Sequence, residues 1–123
     1  MNEAVFQDDK RFLLVCVNRT YGAIGLYNAA RYSWKINPEN VKGRYVIAVV
    51  NGVIEGLFEA DEWLPAVKKN FPDIPDDHGN WENQDGRFGF TGWPVTKYLA
   101  QSYVGKKIPP QLRFKGNPVR YIN

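Results

Sequence analysis

The sequence predicts an α+β domain built on a curved antiparallel β-sheet with short helices at its flanks, and three stretches carry that prediction. The first is Arg44–Glu59, two β-branched, apolar runs on either side of Asn51-Gly52. An Asn-Gly pair takes positive φ at both central positions of a type I′ turn with little strain, which makes it the strongest short-range signal for a hairpin. The second is Phe12–Val17, a nearly continuous apolar run of strand length, as expected of a strand covered on both faces. The third runs from Ile24 to Trp34, where Ile24, Tyr27, Ala30 or Arg31, and Trp34 recur at three- and four-residue steps and so share one helical face.

Taken in order, Met1–Lys10 reads as a polar arm or edge segment, and Phe12–Val17 as the first strand. Asn18–Gly22 is a loop and Ile24–Trp34 a helix. Asn37-Pro38 places a capping residue before a proline at the first helical position, so a short helical turn begins there. In the hairpin, counting outward from the turn sets Val50 opposite Val53, Val49 opposite Ile54, Ile47 opposite Gly56, Tyr45 opposite Phe58 and Arg44 opposite Glu59. One surface then carries Tyr45, Ile47, Val49, Ile54 and Phe58. The other carries Val46, Ala48, Val50, Val53 and Leu57 beside Glu55 and Glu59 and is at best partly covered. Ala60–Pro65 is expected to leave the sheet. Residues 66–85 are acidic, rich in Pro, Asn and Asp, and without a period, and read as a loop insertion: a lid, a variable segment or a binding loop. Gly86–Gly92 alternates as a strand whose glycines point to a bulge or a close backbone approach. Trp93-Pro94 opens a helix to about Tyr103, with Gly105 beyond its end, and Val119–Ile122 is a final strand.

At 123 residues the chain is one domain, long enough to bury a core without staples. No stretch approaches the roughly 20 apolar residues of a membrane span, and Met1–Lys10 has no apolar run of a secretory signal, so the cytoplasm is the default setting and no membrane partner is expected. The single cysteine, Cys16, excludes an intrachain disulfide and reads as a buried structural thiol. No cofactor is expected and no catalytic motif is present.

Charge divides sharply along the chain. Residues 55–85 hold nine acids against Lys68 and Lys69, whereas residues 86–123 hold seven bases and no acid. Such a division marks either a surface for phosphates or two halves of a domain that neutralise each other across a sheet. Under the first reading Lys106, Lys107, Arg113 and Lys115 are phosphate contacts.

Two constellations could hold a ligand. Tyr27, Arg31 and Trp34 at i, i+4 and i+7 place a guanidinium between two rings, able to clamp a phosphate or base edge while the rings stack; otherwise Trp34 is core and Arg31 reaches past it to an acceptor. Asn117, extended because it precedes Pro118, could present its amide to a polar ring beside Arg120, or else form an Asx turn that opens the last strand. Asp76-Asp77-His78 with Asp73, Glu82 and Asp85 reads as a solvated acidic loop, not as a metal site. Lys35 or Lys42 could pair with Glu55, though nothing in the spacing requires it.

The run Gly25–Trp34, then Tyr45–Ile54, Trp63–Ala66, Gly86–Gly92, Tyr103–Lys106 and Asn117–Asn123, resembles a largely uncharacterised bacterial and phage family that recurs beside nuclease or restriction modules. Its order of elements resembles the PUA-like superfamily of ASCH, EVE and YTH types. That resemblance implies a small, strongly bent β-barrel with helices plugging or flanking it, and a pocket for a nucleotide or modified base. It carries over Tyr27, Arg31, Trp34, Asn117 and Arg120 as ligand-binding positions. Tyr32-Ser33 stands where small or aliphatic residues are more usual, and residues 66–85 have no counterpart. The leading expectation is a non-catalytic nucleotide or nucleic-acid binding module. The alternatives are a small hydrolase of a modified nucleoside using Lys35, Lys42 or Glu55, and a protein–protein adaptor or inhibitor that docks a partner through residues 66–85.

Overall fold

A computed structural model describes residues 2–123. Six strands, β1 (Phe12–Cys16), β2 (Trp34–Lys35), β3 (Tyr45–Val50), β4 (Val53–Pro65), β5 (Arg87–Pro94) and β6 (Val119–Ile122), form one sheet in the order β2-β5-β4-β3-β1-β6. The sheet bends until it is nearly closed into a small barrel, and β2 and β6 are its two edges. Short helices flank it: α1 (Tyr21–Ile24), α2 (Leu26–Arg31), α3 (Pro38–Val41), α4 (Asp76–Gly79) and α5 (Lys97–Ala100). The α+β class is as expected. The sheet is mixed, however, because β1 lies parallel to β3 and only the other pairs are antiparallel. None of the described helices is long and apolar enough to cross a membrane.

Asn51 and Gly52 take φ of 49° and 79°, so the hairpin turns where the sequence says it should. The count outward holds for Val50 opposite Val53 and Val49 opposite Ile54, then fails at a bulge, beyond which Ala48 faces Gly56, Ile47 faces Leu57, Val46 faces Phe58 and Tyr45 faces Glu59. Glu55 is the extra, unpaired residue. A bulge adds one residue to one strand and increases its bend, so Leu57 and Phe58 exchange the faces that simple alternation gives them. Phe58 joins Leu13, Val15, Trp34, Val46, Ala48, Phe90 and Val119 in a cluster that draws on all six strands, as the inside of a closing barrel must. Leu57 joins Phe12, Leu14, Ile47, Val49, Ile54 and Tyr103 on the outer face, beneath the segment from Tyr103 to Phe114 and the first residues of the chain. The face expected to be half covered is therefore as buried as the other. The arm is also less free than its polarity implies, since Ala4 is buried and Phe6 packs on Phe12 and Tyr103.

Ala60–Pro65 stays in the sheet, contrary to expectation. A second bulge at Asp61 keeps β4 in register with β5 while the strand curves. Close approach of these two strands requires Gly92, where a Cβ would lie 2.0 Å from the Glu59 carbonyl oxygen. Trp93 and Pro94 complete β5, which delays the next helix to Lys97–Ala100. Asn37 caps α3 as expected, its Oδ1 accepting the Glu39 N–H at 3.0 Å.

Arg44 does not face Glu59. It is buried, and its guanidinium donates to the carbonyls of Asn40 (2.7 Å), Phe12 (3.0 Å) and Ile122 (3.0 Å), fastening β1, β6 and α3 at one point. Burial lowers its pKa from the ordinary value, with neighbouring Arg11 adding to the effect.

Candidate functional site: the cleft between the two sheet edges

A barrel that stops short of closure leaves a gap, and here the gap is an open cleft of about 770 Å³. One wall is the β2 edge with the residues leading into it, Tyr32, Ser33 and Trp34. The facing wall is the approach to β6, Phe114 and Gly116–Pro118. Its floor and ends come from Cys16 at the end of β1, from Asn18–Thr20 beyond it, and from His78, Asn80, Gln84 and Arg87.

The insertion supplies part of this site because it is folded. Ala66, Phe71 and Ile74 pack with Tyr32 into a third small core, with Trp81 and Leu64 against it. Ring centroids of Tyr32 lie 5.4 Å from Phe71 and 5.5 Å from Trp81. Burial of these apolar side chains, each worth roughly 1.5–3 kcal/mol, holds residues 66–85 against the barrel edge. They form α4 and a 3₁₀ turn at Trp81–Asn83, not the structureless loop expected. The acids of this segment point outward, and Asp76 takes the Lys68 ammonium at 2.5 Å and the Trp81 Nε1–H at 3.2 Å. The hydrogen bond and charge of Lys68 hold the Asp76 carboxyl below its ordinary pKa.

A polar network fixes the β2 wall. The Ser33 hydroxyl donates to Gln84 Oε1 at 2.8 Å, and Gln84 Nε2 donates to the carbonyls of Gly79 (2.8 Å) and Asn80 (2.7 Å). The Tyr32 hydroxyl also donates to the Gly79 carbonyl, and Arg87 Nη1 donates to the Ser33 carbonyl at 3.1 Å. Burial raises the Tyr32 phenol to a pKa of about 12, an effect that the positive charge of Arg87 partly offsets. The peptide bond between Tyr32 and Ser33 is cis.

Electrostatically the cleft is one-sided. Arg19 and Arg87 line it, and no carboxylate does among the described residues. Among those residues Lys68–Asp76 is the one lysine or arginine ion pair, and the His78 imidazole lies 3.7 Å from the Asp77 carboxylate, both inside the insertion. No base of residues 86–123 makes a direct ion pair with an acid among the described residues.

The expected ligand residues divide. Trp34 and Asn117, 83 positions apart in sequence, do meet at the cleft. Trp34, however, lies on β2, because the helix ends at Arg31. It is 7% exposed and its Nε1 donates to the Ala30 carbonyl at 2.8 Å, so most of the indole is core. Asn117 Oδ1 accepts the Val119 N–H at 3.1 Å in the Asx arrangement. Tyr27 and Arg31 face away from the cleft. The Tyr27 ring packs on Phe58 and Phe90, and its hydroxyl bonds the Gly92 backbone. The Arg31 guanidinium sits between Tyr27 (4.9 Å) and Phe71 (5.2 Å), with Nε donating to Asn28 Oδ1. Arg120 is on the other side of the sheet and donates to the Gln111 carbonyl. Lys107 and Arg113 line a second hollow described below; Lys106 and Lys115 line neither. Cys16 is half-buried where the two hollows meet, not sealed in the core.

Lys35, Lys42 and Glu55 lie outside the cleft, and no ion pair joins them. No three of His, Cys, Asp or Glu among the described residues are grouped to hold a metal ion. Arg19, Tyr32, Gln84, Arg87 and Phe114 were not singled out from sequence. The signals that could have found them are the acid-free stretch, which holds Arg87 and Phe114, and the unusual Tyr32-Ser33.

Fold and site together define a small α+β barrel with a cationic, partly aromatic cleft at its open seam. No family model, curated protein or solved structure matches the chain.

Proposed function

We propose that the protein is a non-catalytic module that binds a nucleotide or nucleic acid in the cleft between β2 and β6. The observation that carries this reading is the composition of the lining, where Arg19 and Arg87 stand beside the rings of Tyr32, Trp34 and Phe114 with no carboxylate to repel a phosphate. Cations close to an aromatic ring suit a ligand that is both anionic and planar: Phe114 is the lining ring that is not buried, Tyr32 and Trp34 being mostly core, base–aromatic contact is worth roughly 1–3 kcal/mol per base, and charge-assisted bonds from arginine are the stronger class. Asn117 on the opposite wall adds an amide that can read a polar ring edge. The order of elements resembling PUA-like domains supports the same reading, as does the cytoplasmic setting expected from the sequence. Ser33 is not set up as an activated nucleophile, since its hydroxyl donates to a carboxamide and not to a base.

The test is calorimetric titration of the four nucleoside monophosphates and of short oligonucleotides at fixed salt. Arg19 is exposed at the cleft, so Arg19→Ala leaves the fold alone; it should weaken binding about tenfold, while Arg120→Ala, outside the cleft, should not change it. Failure of the unmodified protein to bind any of these ligands, or full affinity in both Arg19→Ala and Arg87→Ala, would refute the assignment.

A further inference from the structure

Beside the cleft lies a second hollow of about 510 Å³, and the two share Cys16, Asn18 and Phe114 as a common wall. Its own lining comes from the hairpin turn Asn51–Val53 and from Lys107, Ile108 and Arg113. The character differs. The first hollow presents rings, amides and two arginines, whereas the second presents two exposed cations and turn backbone with no aromatic side chain apart from the shared Phe114. Neither holds a carboxylate among the described residues. Glu3, whose backbone bridges to that of Lys107, makes no ion pair with it. The shared wall is fixed, since Asn18 Oδ1 accepts the Asn51 N–H at 2.8 Å and so ties the loop after β1 to the hairpin turn. The ligand of an anion site need not be planar, and a site with only cations is served by backbone phosphates.

Resting on the nucleotide reading above, we infer that the two hollows are consecutive subsites for a single-stranded oligonucleotide. One unpaired base enters the cleft between Trp34 and Asn117, and the adjoining phosphates pass over Phe114 to Lys107 and Arg113. A base held in duplex cannot enter a cleft walled on both sides, so the strand must be unpaired there. The double substitution Lys107→Ala/Arg113→Ala removes only exposed side chains and separates the subsites.

The experiment measures binding of a nucleoside monophosphate, a nucleoside triphosphate, a single-stranded hexanucleotide of DNA and of RNA, and the matching duplex. Each is titrated with the unmodified chain and the double variant from 50 to 300 mM salt. The expected result is that a hexanucleotide binds at least tenfold tighter than either mononucleotide and than duplex. The double variant should lose that advantage, lower the magnitude of the salt slope by roughly 1.4 for two phosphates of a single strand, and leave monophosphate affinity within twofold. Monophosphate binding with no gain for the hexanucleotide, a triphosphate or duplex binding as tightly, or an unchanged hexanucleotide affinity in the double variant overturns the two-subsite assignment and leaves the cleft itself standing. No binding by any ligand overturns both.

Discussion

Two aromatic clusters in this protein look alike and behave differently. On the outer face of the sheet, Phe6, Phe12, Tyr45 and Tyr103 pack with centroid separations of 5.3–6.0 Å. At the barrel seam, Tyr32, Phe71 and Trp81 pack at 5.4–5.5 Å. Ring spacing does not tell them apart. The polar atoms do: the outer cluster spends a single hydroxyl, that of Tyr103, on the Gln7 N–H, while the seam cluster merges with Ser33, Gln84 and Arg87, of which Ser33 is bonded to both the others and all three border open space. Buried polar groups cost free energy unless bonded, so a bonded set at the rim of a cavity distinguishes a cleft wall from a sealed core where aromatic content does not.

The contrast can be broken by substitution, and the largest effect belongs to the sealed side. Phe12→Ala leaves a cavity at a fully buried position and should cost about 3–5 kcal/mol, read as a lower urea midpoint, while ligand affinity per folded molecule stays unchanged. A shift below about 1 kcal/mol would mean that the outer cluster is loosely packed. Next comes Gln84→Ala, which removes one of two donors from each of the Gly79 and Asn80 carbonyls and takes the acceptor from Ser33. It should cost about 1–3 kcal/mol and, unlike Phe12→Ala, weaken nucleotide binding as well, because the insertion loses its hold on the β2 wall. Stability loss with full affinity would detach the insertion from the site.

The smallest effect is pH-dependent. Tyr32 keeps its proton in the folded state up to about 12, against an ordinary value of 10.0. Between those values the unfolded chain ionises first and binds fewer protons, so stability from this group is complete below pH 10 and is lost as pH rises toward 12. The difference in unfolding free energy between the unmodified chain and Tyr32→Phe should therefore shrink across that window. A constant difference would place the phenol in water.

Local chemistry was readable from sequence and long-range assembly was not. The Asn51-Gly52 turn, the Asn37-Pro38 cap, the apolar β1 and the alternating β5 each depend on a few adjacent residues, and all four are found. The count along β4 fails because a bulge has no signature in period-two alternation: Glu55 looks like one more outward residue of a regular strand. The three- and four-residue spacing from Tyr27 through Arg31 to Trp34 continues past a helix that stops at Arg31, so the period alone places Trp34 on a face it does not share. Residues 66–85 lack a period because their core is made with Tyr32, which lies outside the segment. The cleft was half legible: Trp34 and Asn117 were paired, but its cations, Arg19 and Arg87, lie in stretches whose proximity only the folded sheet creates.

Glu55 and Asp61 have no partners in their ladders, so shortening β4 by either one would leave every cross-strand pair, and hence the contents of both cores, as they are. What would go is bend. Curvature and interior composition are thus written in different residues of the same strand, and the two acidic residues that add bend to β4 lie outside the aperture left where the sheet stops short of closing.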